Sequence, residues 1–351
     1  MRPSIPCTAL LFLLTACSGQ PSTDATAGTS PAEPAAAPQE LVVYTSRNEQ
    51  LVKPLFDRYT RETGVKITYL TDKAPPLMER LRAEGSRTPA DVFITVDAGN
   101  LWQAANMELL QPVDSAVLQA NIPPNLRDPE NRWFGLSARA RTMIHNPAVT
   151  PASALSGYED LADPKWRGKL CLRTSASVYN QSLVATMLAR LGKERTEEVV
   201  KGWVDNLAAP PFANDTAVIE AVAAGRCAVG IVNSYYLGRA QRDDPALPVT
   251  VFWANQQGEN ASGTHVDVSG AGITAHADNV AGARAFIEWL SAGEAQAMYA
   301  NENLEYPANP QVEAAPIVKA WGDYRQNPIN VAEAGRLQAD AVKLMDRAGY
   351  R

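Results

Sequence analysis

The chain has 351 residues, 46% of them hydrophobic and 20% charged, with a formal net charge of −6. That length is too great for one ordinary hydrophobic core and implies two lobes. The mild acidity argues against nucleic acid as a partner, because phosphate recognition needs a basic surface.

The N-terminus reads as a targeting segment rather than a folded element. Arg2 gives a positive start, and residues 9–14 form an apolar run too short to be a mature membrane span. Leu14-Thr15-Ala16-Cys17 resembles the lipobox of bacterial lipoproteins. The resemblance implies removal of residues 1–16, lipidation of Cys17 and a mature chain outside the cytoplasm. Residues 17–39 are rich in Pro, Ala, Ser and Thr and read as a flexible tether. Of the four cysteines, Cys7 leaves with the signal and Cys17 takes the lipid. Cys171 and Cys227 remain, on predicted strands of one lobe in an oxidising compartment, and are expected to form a disulfide. The alternative is two buried free thiols.

From residue 40 onward, strands and helices alternate. Residues 41–46 read as a strand. Residues 49–63 read as a helix with Leu51, Val52, Leu55, Phe56 and Tyr59 on its apolar side, stopped by Gly64. A strand at 65–70, a helix at 76–83 and a strand at 91–96 follow, then a helix opened by Asp97 or Gly99 that runs to Met107. This alternation implies a mostly parallel sheet. The first crossing between lobes is placed at residues 137–141. His145 follows; a lone histidine there is taken as structural, and three histidines in the whole chain do not make a His-rich zinc site.

The second lobe is expected to hold a strand at 169–173 and helices at 179–191, 194–207 and 215–224, the last capped by Asn214. A strand ending at Asn233 and another at 249–253 complete it. Residues 266–273 read as the second crossing, 280–300 as one long amphipathic helix and 332–348 as the last helix. The expected division is lobe one at 40–137, lobe two at 138–265 and a return to lobe one at 266–300. A helical segment at 301–351 is expected to pack mainly on lobe two.

Asn233-Ser234-Tyr235-Tyr236 stands where a strand stops, ahead of a helix expected to start at Leu237, a favoured place for binding groups in open α/β sheets. Paired phenolates are hard anionic oxygen donors, suited to a hard cation such as Fe(III). Ordinary aromatic packing is the alternative.

Five stretches occur in order through both lobes: Val43-Tyr44-Thr45-Ser46-Arg47, Arg139-Ala140-Arg141, Gly168-Lys169-Leu170-Cys171-Leu172-Arg173, Val178-Tyr179-Asn180-Gln181-Ser182-Leu183 and Asn233-Ser234-Tyr235-Tyr236-Leu237-Gly238. With them, the chain from about Leu41 onward resembles the periplasmic iron(III)-binding proteins of ABC transporters, in their tyrosine-rich branch. The resemblance implies an α/β, two-lobe periplasmic-binding-protein fold of type II-like form, with two crossing strands as hinge and the ligand in the cleft. It implies Tyr179, Tyr235 and Tyr236 as donors to Fe(III).

The first lobe departs from the family pattern. The closest branch often has His-Tyr after its Ser-Arg pair, where this chain has Asn48 and Glu49. Glu49 is expected as the lobe-one donor, the alternative being a solvated first-turn glutamate. Asp97 reads more simply as a helix cap. Arg47, Arg139 and Arg141, with Asn48 nearby, would balance the charge. A synergistic anion such as carbonate, or a hydroxide, would complete the coordination at the helix N-terminus after Ser46.

The resemblance further implies a non-enzymatic monomer, lipid-anchored on the periplasmic side of a bacterial membrane. It would touch the membrane only through its lipid and serve an inner-membrane ABC transporter permease. Two other readings stand beside this one. The same fold could hold a polyamine, another organic cation or a small anion against the tyrosines, or the chain could be a secreted hydrolase using Glu49 or Asp97 as base. No Ser-His-Asp arrangement, P-loop or dinucleotide fingerprint is visible.

Overall fold

The computed structural model describes residues 40–258 and 261–351. The targeting run, the tether and Cys17 lie outside the described residues. The chain begins with β1 (Glu40–Thr45), α1 (Glu49–Thr63), β2 (Lys66–Thr71), α2 (Ala74–Glu84), β3 (Val92–Val96), α3 (Ala98–Asn106), β4 (Leu110–Gln111) and α4 (Ala116–Asn121). It continues through β5 (Phe134–His145), β6 (Leu170–Cys171), α5 (Val178–Leu191), α6 (Lys193–Asp205), α7 (Asp215–Ala223), β7 (Val229–Asn233), α8 (Ser234–Asp243) and β8 (Thr250–Phe252). The last elements are β9 (Val266–Thr274), α9 (Val280–Ser291), α10 (Gly293–Asn303), β10 (Tyr306–Pro307), α11 (Pro316–Lys319) and α12 (Val331–Arg347). Among the described residues no helix is long and apolar enough to cross a membrane.

The strand order is β2-β1-β3-β9-β5-β7-β6, with β4 paired to β9 and both β8 and β10 paired to β5. β1 lies parallel to β2 and β3, as strand–helix alternation requires. The centre of the sheet is not parallel, contrary to expectation. β9 runs antiparallel to both β3 and β5, and β5 antiparallel to β7. The reason is that β5 carries the chain from one half of the molecule to the other, and β9 brings it back alongside.

Every residue of β5 and β9 is buried. Phe134, Leu136, Ala138 and Ala140 of β5 join the core built by Leu41, Val43, Phe56, Phe93 and Phe286. Farther along, Met143 joins a second core with Leu170, Leu183, Val199, Trp203 and Ile231. Ile144 joins an adjacent cluster with Cys171, Val218, Val222 and Cys227. The protein is thus a two-lobed α/β structure, with its apolar cores on either side of a crossing strand. Arg139 and Arg141 lie where one core gives way to the next, two residues apart and therefore on one face of the strand.

Three local details differ from the sequence reading. The expected long helix at 280–300 is two helices, because Ala292 adopts extended backbone (φ −81°, ψ 164°) before Gly293 restarts the turn. The strand expected at 169–173 keeps only Leu170 and Cys171. Helix α8 starts at Ser234, so Tyr235 and Tyr236 lie inside its first turn rather than ahead of it. At the far end, α12 touches both halves: Val331 and Ala332 join the first core, while Ala341, Leu344 and Met345 join the second. Gly335 permits the close approach to α3, since a Cβ there would meet the Trp102 Cβ at 2.4 Å.

Cys171 and Cys227 form the expected disulfide, closing a sequence separation of 56 residues within the second half. The cross-link restricts the unfolded chain, an effect of about 4 kcal/mol in the loop-entropy picture for a loop of this size and less where native strain intervenes. The double variant Cys171→Ala/Cys227→Ala is therefore expected to lose about 2–4 kcal/mol in denaturant unfolding. A loss under about 1 kcal/mol would show that the cross-link does not act in this way.

Candidate metal centre

Two helices bring the tyrosines together. α5 starts after Ser177 and carries Tyr179 in its first turn; α8 starts after Asn233 and carries Tyr235 and Tyr236 in its own. Neither Ser177 nor Asn233 makes a side-chain cap bond. The free N–H ends of both helices favour negative charge beside the three phenols. The Tyr235 hydroxyl donates to that of Tyr179 at 3.4 Å. The Tyr235 and Tyr236 rings lie 4.4 Å apart, tilted by 31°.

The phenols face a cavity of about 120 Å³ that also meets Arg47, Asn48, Arg139, Arg239 and Glu305. That is below the roughly 300–1,000 Å³ of a typical organic-ligand pocket. It suits an ion with a few small ligands. Burial pushes the Tyr235 hydroxyl well above the ordinary phenol range; Tyr179 and Tyr236 push it the same way and Arg139 opposes them. Burial also raises Tyr179, with Arg139 again pulling it back. Both phenols are therefore neutral at neutral pH until a cation displaces their protons.

Guanidinium groups cover the aromatic faces. Arg139 lies 5.3 Å and Arg173 5.4 Å from the centre of the Tyr179 ring, and Arg239 lies 4.9 Å from that of Tyr235. Two of the wall arginines are already paired. Arg139 donates to Asp267 at 3.0 Å and to Ser269 at 2.8 Å. Arg47 reaches both carboxylate oxygens of Glu305, at 3.0 and 3.2 Å. Burial works against the charge on Glu305, but Arg47 and Arg139 outweigh it and hold the carboxyl below its usual range. Burial likewise opposes the charge on Arg139, but Asp267, Tyr179, Glu305 and Tyr235 together outweigh it and hold the guanidinium above its usual range.

The other residues singled out in the sequence fall in different places. Asn48 lines the cavity. Glu49 is exposed and its carboxylate accepts from the Tyr69 hydroxyl at 2.7 Å, so the structure does not bring it to the tyrosines. Asp97 is buried as the cap of α3, accepting from the Gly99 N–H at 2.8 Å, and lies outside the cavity wall. Burial and the neighbouring Asp267 carboxylate raise the Asp97 carboxyl well above its usual range. Arg141 also lies behind the wall, bonded to Asp215, Asn180 and Asn233. His145 donates through Nδ1 to the Thr150 carbonyl at 2.7 Å, a structural bond.

Glu305 and Arg239 line the cavity without having been singled out. Arg239 is four residues after Tyr235 on a helix, a spacing that marks neighbours on one face. Glu305 carries no local signal; it arrives from 258 positions beyond its partner Arg47. Among the described residues, no group of three or more His, Cys, Asp or Glu is arranged to hold a metal. A cation here would be held chiefly by phenol oxygens, which select a hard ion.

Comparison with known proteins agrees with this architecture. The profile of the family described as bacterial extracellular solute-binding protein matches residues 54–326. Iron uptake protein A1 from Synechocystis is 40% identical over 345 residues, covering 97% of this chain and 93% of that protein. The Fe(3+)-binding periplasmic protein of Serratia marcescens is 29% identical, covering 91% of this chain and 93% of that one. Among solved structures, the Trichodesmium protein IdiA (FutA), in complex with iron and citrate ligands, superimposes with a TM-score of 0.84 at 44% identity. That match covers 89% of this chain and all of the other. Two-lobed architecture and extent of likeness converge: the chain belongs to the bacterial extracellular solute-binding proteins.

Proposed function

We propose that this protein captures Fe(III) between its two lobes, through the phenolates of Tyr179, Tyr235 and Tyr236, and delivers it to an inner-membrane ABC transporter permease. The observation that carries the reading is the convergence of three phenols from two helix N-termini on one small cavity. Three phenolates balance the charge of Fe(III), and the wall arginines Arg47 and Arg139 are neutralised by their own carboxylates. A small anion such as carbonate would fill the remaining coordination beside Arg239. The naming of relatives as iron uptake and Fe(3+)-binding proteins supports the same ion.

The protein acts as a monomeric carrier, held to the periplasmic side of the membrane by lipid on Cys17, and not as a catalyst. An organic cation and a hydrolase gain nothing from the geometry. An organic cation would need open aromatic faces, but arginines occupy those of Tyr179 and Tyr235. A hydrolase would need a nucleophile beside a base, but Ser46 bonds Thr95 and Ser269 bonds Arg139.

Tyr236→Phe removes one donor oxygen and keeps the ring. Its iron affinity is expected to fall by more than about 100-fold, beyond the 10- to 100-fold typical of groups that only support a ligand. Competition with a chelator measures this, and wild-type affinity would remove Tyr236 from the site. Glu49→Gln is expected to change the affinity by about twofold or less, in keeping with an exposed substitution. A large loss would mean that Glu49 leaves Tyr69 and enters the site when iron binds.

Protons provide an independent check. A free phenol has a pKa of about 10, and those of Tyr179 and Tyr235 are raised further. Iron must displace these protons, so its affinity rises with pH and falls on acidification. Calorimetry at neutral pH in buffers of different ionisation enthalpy should count at least about two protons released per Fe(III). No release would be incompatible with phenolate ligation.

A further inference from the structure

The turn that carries Tyr179 is held from behind by a residue beyond α12. Tyr350 is buried at 2% exposure, 171 positions after Tyr179. Its hydroxyl donates to the Arg173 carbonyl at 2.5 Å and accepts from Asn180 Nδ2 at 2.8 Å. Asn180 is the residue next to Tyr179, and Arg173 is one of two residues, with Arg139, whose guanidinium lies over the Tyr179 ring. A second bond runs beside the first, from the Ser175 N–H to the Arg351 main-chain oxygen at 3.1 Å.

The same turn is gripped from the other side. Asn180 Oδ1 accepts from Arg141 Nε at 2.9 Å and Nη2 at 2.6 Å. Arg141 in turn holds Asp215 and the Asn233 side chain, just ahead of Tyr235. Tyr350 thus completes a closed set of bonds that includes the approach to both tyrosine-bearing helices. The helix leading to it also packs on the opposite lobe at its N-terminal half. Gly335 packs against Trp102 of α3, and Gln338 Nε2 donates to Asp97 Oδ1 at 3.4 Å.

We propose that Tyr350 is a positioning residue for iron capture, whose hydroxyl sets the Arg173–Asn180 turn and so aims the Tyr179 phenol, tying that aim to the helix shared by both lobes. This rests on Tyr179 being an iron donor. Filling a cavity would need only the Tyr350 ring. The two hydrogen bonds at its hydroxyl, one to the backbone and one to the neighbour of Tyr179, are what a positioning role requires.

The test compares iron-loaded wild type with Tyr350→Phe, which loses only the hydroxyl. The readouts are the visible charge-transfer band of the tyrosinate–Fe(III) centre and the rate of iron loss to excess EDTA. Tyr350→Phe is expected to shift the band and to speed iron loss by about 10-fold, the scale of groups that orient a ligand. Asn180→Ala removes that bond together with those to Arg141 and to the Arg173 and Thr174 carbonyls, so it should change both readouts in the same direction and by more; a wild-type result there overturns the proposal if Tyr350→Phe does not fold. A wild-type band and rate in the folded variants would overturn the proposal, even with a lowered melting temperature, because that pattern is purely structural. Tyr179→Phe separates the two levels of inference. If it keeps the wild-type band and affinity, the assignment of Tyr179 as donor is what fails; if it loses them while Tyr350→Phe does not, only the positioning role fails.

Discussion

The buried pair of Arg141 and Asp215 is the joint on which the site is built. Their side chains are 1% and 0% exposed and meet at 2.9 Å. A charge taken this far from water survives only with a partner and further hydrogen bonds, and removing one member of such a pair typically destabilises by about 3–5 kcal/mol. The guanidinium presents five donors in a rigid fork, which a lysine could not imitate. Here the fork reaches Asp215, Asn180, Asn233 and the Ile231 carbonyl. One side chain on the crossing strand therefore sets the starts of both tyrosine-bearing helices relative to each other. The separation of the phenols follows from that.

Much of this was legible in the sequence, for physical reasons. Tyr235 and Tyr236 follow a short apolar run, so their place at a strand end could be read from hydrophobicity alone. Arg139 and Arg141 could be placed in the first crossing as charge-balancing groups, and of the two Arg139 lines the cavity. What escaped were features fixed by tertiary partners. Glu305 reaches the cavity only because β10 pairs with β5 at Ser137 and Ala138. Glu49 has the chemistry of a hard donor, but the nearby β2 strand offers it the Tyr69 hydroxyl. The antiparallel centre of the sheet escaped too, because alternation of strand and helix describes neighbours in sequence and not the return of a strand 130 residues later. The break at Ala292 was hidden because alanine favours a helix.

The wall of the cavity is arranged to be close to neutral. Arg47 with Glu305 and Arg139 with Asp267 are internal pairs, each fully buried. Their fields largely cancel at a distance but not at the phenols, where Arg139 draws Tyr179 and Tyr235 toward ionisation while burial resists. The phenols are thus left poised between two opposing forces, and a trivalent ion decides the outcome. Exchange of three protons for Fe(III) would leave the net charge of the interior unchanged. In a medium of low dielectric, such neutrality keeps both the empty and the filled state tolerable.

The disulfide lies wholly within one half of the molecule. Both sulfurs belong to the cluster built around Val218 and Val222, and the link spans no residue of the crossing strands β5 and β9. Oxidation consequently toughens one jaw and leaves the articulation alone. A clamp reinforced in this way can resist wear outside the cytoplasm without becoming stiffer to open, and its grip and its durability can be altered separately.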